Sequence, residues 1–224
     1  MLTSPVHRKA GLVPPATHTV VRPIAVRWLA RVGPYRVERI RVPQTGLRVD
    51  LRRPAAGVGH TTECSLASAL RVFRRHDAPT FLLGRDDLGR IRIFQLVPLG
   101  EAAGSLRNLP GGVETNAWAR AQIELAARSH ARAWRADPGV MNAFESLLVA
   151  LHDDAGIPLA RPFPDGYSAR ADARRRRSGE WGRAAGWFNH GEVPENNHWD
   201  MGAFEWQHAL AGARAIVDRR TSQE

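Results

Sequence analysis

The sequence predicts a single α/β domain with a central mixed β-sheet flanked by helices. Three observations carry this expectation. Short apolar segments, some alternating and some continuous, recur along the chain and are bounded by Gly, Pro and Asp, as strands are. Longer segments between and after them place apolar residues at helical spacing. At 224 residues the chain suits one substantial core with decoration better than two complete domains.

Taken in order, residues 1–33 hold Pro5, Pro14, Pro15 and Pro23 with scattered Arg and no sustained period, so they read as an N-terminal extension. Residues 34–224 then form the domain. Alternation over 35–42 and 47–51, joined through Pro43 and Gly46, predicts two strands with one exposed face each. The small-residue run 55–60 predicts a buried strand that delivers His60 at its end. Ser65 is placed to cap a helix bearing Leu66, Leu70 and Phe73 on one face. Segments 80–84 and 90–97 form a hairpin about Asp86-Asp87-Leu88-Gly89, and the Gly- and Pro-rich stretch 98–115 is the expected binding loop. In 121–126, alternation sends Ile123 and Leu125 to one side and Gln122 and Glu124 to the other. Helices are expected over 140–155, with Phe144, Leu147, Leu148 and Leu151 inward, and over 204–218, with Trp206, Leu210, Ala213 and Val217 in register.

Composition narrows the classes of function. The formal charge of +10 predicts attraction to a polyanion: nucleic acid, an anionic membrane or the acidic polymers of a bacterial wall. Lys9 is the only lysine, and the Arg, Ala and Gly content has the look of a GC-rich coding bias, which accounts for part of that charge. No apolar stretch is long enough for a membrane-spanning helix, so no membrane insertion is expected. The best signal-peptide core, 20–32, is broken by Arg22, Arg27 and Arg31, so the chain is expected to be cytoplasmic at synthesis. With Cys64 as the only cysteine, neither an intrachain disulfide nor a cysteine-rich zinc finger can form. No helix-turn-helix or basic strand with interleaved aromatics appears, so no specific nucleic-acid partner is expected.

The chemistry concentrates in residues 187–202, where His190, His198 and Asp200 share a turn-rich loop interrupted by Gly191, Pro194 and Gly202. Imidazole nitrogen with carboxylate oxygen suits zinc (Zn2+), whose hydrolytic sites use three protein ligands and leave a fourth position open. His60 is the candidate from outside the loop. The competing reading is a solvated loop whose polar groups cap helices. Glu124 projects from a sheet centre and is a candidate general base, against the reading of an exposed strand face. Cys64 is expected to face the core, and His76, His130, His152 and His208 are read as surface or helix-face residues. The basic run 174–177 and Arg170 are read as a solvated loop or helix start able to meet an anionic substrate.

Four pieces in sequence order resemble the zinc-dependent N-acetylmuramoyl-L-alanine amidases of the peptidoglycan-recognition-protein fold, in the actinobacterial and phage-endolysin form. They are Gly59-His60-Thr61-Thr62-Glu63, the stretch from Arg107 to Asn116, Gln122-Ile123-Glu124-Leu125, and the segment 178–202 with its Val193-Pro194-Glu195-Asn196-Asn197-His198-Trp199-Asp200. The resemblance spans roughly residues 55–217. It implies His60, His190 and Asp200 as zinc ligands in a groove at the sheet edge, Glu124 as base and His198 as the group that stabilises charge on the substrate. The alternative makes His198 a ligand oriented by Asp200. Arg107, Asn108, Asn116 and Asn196 are the expected substrate contacts. The implied reaction cuts the amide between N-acetylmuramic acid and L-alanine of the stem peptide in bacterial peptidoglycan. The implied setting is an endolysin released to the wall through a holin. The alternative is a peptidoglycan-binding protein of the same fold without catalysis. Met201 stands where the family commonly has Pro, and Leu96 where a His often follows Gln95.

Overall fold

The computed structural model describes residues 24–129, 137–163, 181–202 and 204–223. Its strands are β1 (Arg31–Val32), β2 (Tyr35–Arg39), β3 (Ala56–Thr61), β4 (Phe81–Arg85), β5 (Ile91–Gln95), β6 (Ala119–Leu125) and β7 (Gly186–Asn189). They form one mixed sheet in the order β1-β2-β5-β4-β6-β3-β7. β4, β6, β3 and β7 run parallel to one another, so their carboxyl ends share one rim, while β5 is antiparallel to β4. In α/β sheets that rim is where ligands bind.

Side-chain alternation sorts the sheet into two buried faces. Phe81, Leu83, Ile93, Ile123 and Leu125 face helices α2 (Pro138–Ala155) and α3 (Trp206–Thr221), and form the main core with Phe144, Leu147 and Trp206. Leu82, Phe94 and Leu96 face the other way, onto Leu66, Ala69 and Phe73 of α1 (Leu66–Phe73). The helix ends follow their sequence signals. Ser65 accepts from the Ser68 amide, Asp137 accepts from the Val140 amide before Pro138 opens α2, and Gly156 ends α2 at φ 66°. Burying Phe144, Leu147, Leu148 and Leu151 contributes about 1.5–3 kcal/mol each, so tertiary packing rather than intrinsic propensity holds α2.

Several expectations shift. Of the N-terminal extension, residues 1–23 lie outside the described residues, while 24–33 lie along the sheet. Arg27 bridges Leu99, β1 pairs with β2, and Gln95 accepts from the Leu29 amide at 2.7 Å and donates to the Arg27 carbonyl at 3.0 Å. Segment 47–51 is no strand: only Arg48 forms an isolated bridge, to Glu101, because the chain leaves the sheet after Arg39 and Pro43 has no N–H to continue a ladder. Residues 187–189, expected to be loop, belong to the parallel edge strand β7 against β3. Gly57 and Gly59 of β3 make room for aromatic packing. A Cβ at Gly57 would lie 2.6 Å from Trp187, and one at Gly59 2.3 Å from Met201 and 2.6 Å from Trp206. Met201, where a Pro was the familiar residue, is fully buried in that core. No described helix is long and apolar enough to cross a membrane.

Candidate metal centre

Three elements deliver the site to the shared rim. His60 is the penultimate residue of β3, Glu124 the penultimate residue of β6 and its register partner, and His190 opens a 3-10 turn (His190–Glu192) straight after β7. The loop 193–200 then returns Asp200 to the same point, its carbonyl accepting from the Gly191 amide at 3.2 Å. The turn is anchored from behind. Glu192 accepts from the Asn189 amide at 2.7 Å and pairs with Arg161 at 2.7 Å, both side chains being wholly buried. The Asn189 carboxamide oxygen accepts from the Trp206 indole.

His60, His190 and Asp200 form a buried cluster of possible metal ligands. Their facing atoms make a triangle: His60 Nδ1 to His190 Nδ1 3.0 Å, His190 Nδ1 to Asp200 Oδ2 3.1 Å, and His60 Nδ1 to Asp200 Oδ2 3.8 Å. A point equidistant from these three atoms lies about 1.95 Å from each, and zinc–nitrogen and zinc–oxygen bonds are about 2.0–2.2 Å. These three atoms would be able to hold a zinc ion, which would supply a Lewis acid beside the cavity. The donor set fits zinc.

Electrostatics agree with the geometry. Burial, and then the neighbouring His190, hold His60 well below the ordinary histidine value, so its ring is neutral and able to ligate. Burial works to raise Asp200, but the imidazoles of His190, His198 and His60 outweigh it and hold the carboxyl below its usual range. Glu124 is driven well above the usual carboxylate value, first by burial and then by the charges of Asp200 and Glu63. Its Oε1 lies 3.9 Å from His60 Nδ1, and its Oε2 is buried with no hydrogen-bond partner among the described residues. A carboxyl held in this way is suited to exchanging protons at the cavity floor. His198 is more than half exposed. It stacks on His190 at 4.2 Å, with its Nδ1 3.4 Å from Asp200 Oδ1, so Asp200 turns one oxygen to the cluster and the other to His198.

The cluster opens into a cavity of about 560 Å³, within the range of small-molecule sites. Its walls include Thr62, Glu63 and Cys64 after β3, Val72, Phe73 and His76 of α1 and the turn after it, Leu106 and Arg107, and His198 with Trp199. Of the expected substrate contacts, Arg107 and Asn196 line this cavity, whereas Asn108 and Asn116 do not. Asn108 donates to Glu114, and Asn116 clamps both backbone groups of Leu106, so these amides shape the loop. The Asn196 side chain is buried and hydrogen-bonded within the protein. Cys64 is exposed rather than core-facing, because it precedes the helix that begins at Leu66. His76 bonds Asp77 at 2.8 Å and lines the cavity, and His152 bonds the Ile157 carbonyl at 3.0 Å. Arg170, His130 and the run 174–177 lie outside the described residues. Sequence reasoning missed Trp199 as a cavity wall and Glu63, whose carboxylate accepts from the Ser129 amide at 2.7 Å and from Thr61 Oγ1 at 3.0 Å. Their proximity to Gly59-His60 and to His198 in sequence was the available signal.

Neither a protein-family model nor a curated protein matches the chain. Among solved structures it is similar to the Staphylococcus aureus hydrolase AmiA in complex with its ligand, at 14% identity and a TM-score of 0.47, over 83% of this chain and 85% of that one. The chemistry of the site is read from its own side chains.

Proposed function

We propose that the chain is a zinc-dependent peptidoglycan amidase that hydrolyses the bond between N-acetylmuramic acid and the L-alanine of the stem peptide. The observation that carries the reading is the donor triangle of His60, His190 and Asp200 with the Glu124 carboxyl beside it, whose Oε2 has no hydrogen-bond partner among the described residues. The four motif pieces supply the substrate class. When bound, the ion supplies Lewis acidity, which acidifies a water and polarises an amide carbonyl.

The chain's own residues do the rest. Glu124 receives the proton of the attacking water and passes it to the departing amine, a task its burial and raised pKa favour. His198, held by Asp200 and stacked on His190, offers a ring N–H to the developing oxyanion. Arg107 and Trp199 flank the cavity where glycan and peptide would lie. The net charge of +10 favours an anionic wall. Cytoplasmic accumulation and holin-dependent release of a phage endolysin belong to the same proposal.

A zymogram on purified wall, followed by mass spectrometry of the products, tests this. Wild-type protein is expected to clear the wall and release stem peptides with a free L-alanine amino terminus, and His60→Ala and Glu124→Ala are expected not to. Clearing by both variants would overturn the mechanism, and new reducing sugar ends would mean a glycosidase. Wall binding without any cleavage would instead make the chain a peptidoglycan-binding protein. Tight, salt-sensitive DNA binding without zinc would point to nucleic acid.

A further inference from the structure

The Asn196 side chain is 1% exposed, and its amide joins two parts of the site. Its Oδ1 lies 2.8 Å from the backbone nitrogen of Arg107 and 2.9 Å from His190 Nε2. Its Nδ2 lies 2.8 Å from the Pro194 carbonyl oxygen and 3.3 Å from that of Arg107. A backbone N–H only donates and a carbonyl only accepts, so these partners fix which end of the amide is oxygen. His190 Nε2 faces that oxygen and must therefore carry its proton. The remaining nitrogen, Nδ1, is the one that faces His60 Nδ1 and Asp200 Oδ2.

We propose that Asn196 is a positioning residue, which locks His190 in its Nε2–H tautomer for metal ligation and ties that ligand to the Arg107 wall of the cavity. The amide is fully used: two donors meet the oxygen, and both N–H groups find carbonyls. The tautomer is thus set by backbone chemistry 89 residues away in the chain rather than by the ion. His190 Nδ1, Asp200 Oδ2 and His60 Nδ1 converge, and the other nitrogen of His190 is already engaged by Asn196. Such a group is completed by a cation. Outer-shell partners of this kind alter metal affinity roughly 10–100-fold when removed.

The inference rests on the metal reading above, and the test separates the two. Zinc affinity is measured by chelator competition on wild type, Asn196→Ala and Asn196→Asp, and the His190 tautomer by ¹⁵N NMR on ion-free wild type. Asn196→Ala is expected to bind zinc about 10–100-fold more weakly. Asn196→Asp keeps an acceptor for His190 but loses both donors, so its affinity is expected to fall less than that of Asn196→Ala. A role confined to holding the loop would instead weaken both variants alike, which overturns the proposal. So does wild-type affinity in Asn196→Ala, or a His190 Nε2 that carries no proton in the ion-free wild type. If Asn196→Ala does not fold, Asn196→Asp and the tautomer decide. Failure of the wild type to take up zinc would sink the metal reading, and the NMR measurement would still decide this one.

Discussion

Two ends of one sheet handle charge in opposite ways. At the β2–β5 side, Arg92 pairs with Glu38 at 2.5 Å and with Asp86 at 3.1 Å, and the Arg92 and Glu38 side chains remain 28% and 33% exposed. At the β3–β6–β7 rim, Glu124, Asp200 and Glu192 are all buried, and of these Glu192 has the Arg161 guanidinium at 2.7 Å. Solvent screens the first set, which therefore costs and contributes little. The second set stands in a low-dielectric interior, where an uncompensated carboxylate is expensive. A fold gains nothing by gathering such groups unless something else completes them, and His60, His190 and Asp200 could hold a metal ion there. Concentration of buried charge at the parallel rim therefore marks function, and the paired arginines elsewhere mark a surface.

The most direct way to break this comparison is to remove a ligand. His60→Ala is expected to abolish wall clearing and stoichiometric zinc binding. The loss should also appear in stability without any substrate. Zinc at about 100 times its Kd is expected to add about 2.7 kcal/mol to the wild type by mass action. It should add nothing to His60→Ala, as read from denaturant unfolding with and without the ion. Equal stabilisation of both proteins would place the metal elsewhere.

Glu124→Gln sharpens the distinction between a group kept for chemistry and one kept for the fold. Turnover is expected to fall about 10²–10⁴-fold, the usual contribution of a positioned acid–base group. Stability should not fall with it. Oε2 has no hydrogen-bond partner among the described residues, so a neutral amide of the same shape breaks no hydrogen bond there. A thermal midpoint at or above that of wild type, with zinc affinity retained, is the expected result. A drop in both turnover and stability would make Glu124 structural.

What could be read from the sequence follows the range of the interactions. Alternation in 121–126 placed Glu124 opposite the Ile123 and Leu125 face, and its strand partner proved to be His60. His190 and Asp200 lie ten residues apart on one loop, and their convergence was visible from the turn residues between them. Strand β7 was not, because four residues ending in Asn are too few to show a period. Asn196 belonged to a quoted motif, but its bond to the Arg107 backbone depends on how two distant loops meet. Arg161 carried no signal at all. Its partner Glu192 is 31 residues away, and the two meet because segment 160–161 lies along β7, where the Ala160 carbonyl accepts from the Trp187 amide. The exposure of Cys64 turns on whether α1 begins before or after Ser65, a boundary that a single sequence fixes poorly.

The two ion pairs provide the last test, since they share one chemistry and differ in burial. Glu192→Ala leaves the Arg161 guanidinium buried beside Trp206 and removes the acceptor of the Asn189 amide, so about 3–5 kcal/mol of stability should be lost. Replacing both members, as Arg161→Met with Glu192→Leu, should restore the part due to the stranded charge, while the Asn189 amide stays without its Glu192 acceptor. Glu38→Ala at the exposed edge is expected to cost less than about 1 kcal/mol, and less again in high salt. Denaturant midpoints of the four proteins at two ionic strengths measure the contrast. If Glu38→Ala were as damaging as Glu192→Ala, burial would not be what separates the two ends of the sheet, and the case for a functional rim would have to rest on the ligand triangle alone.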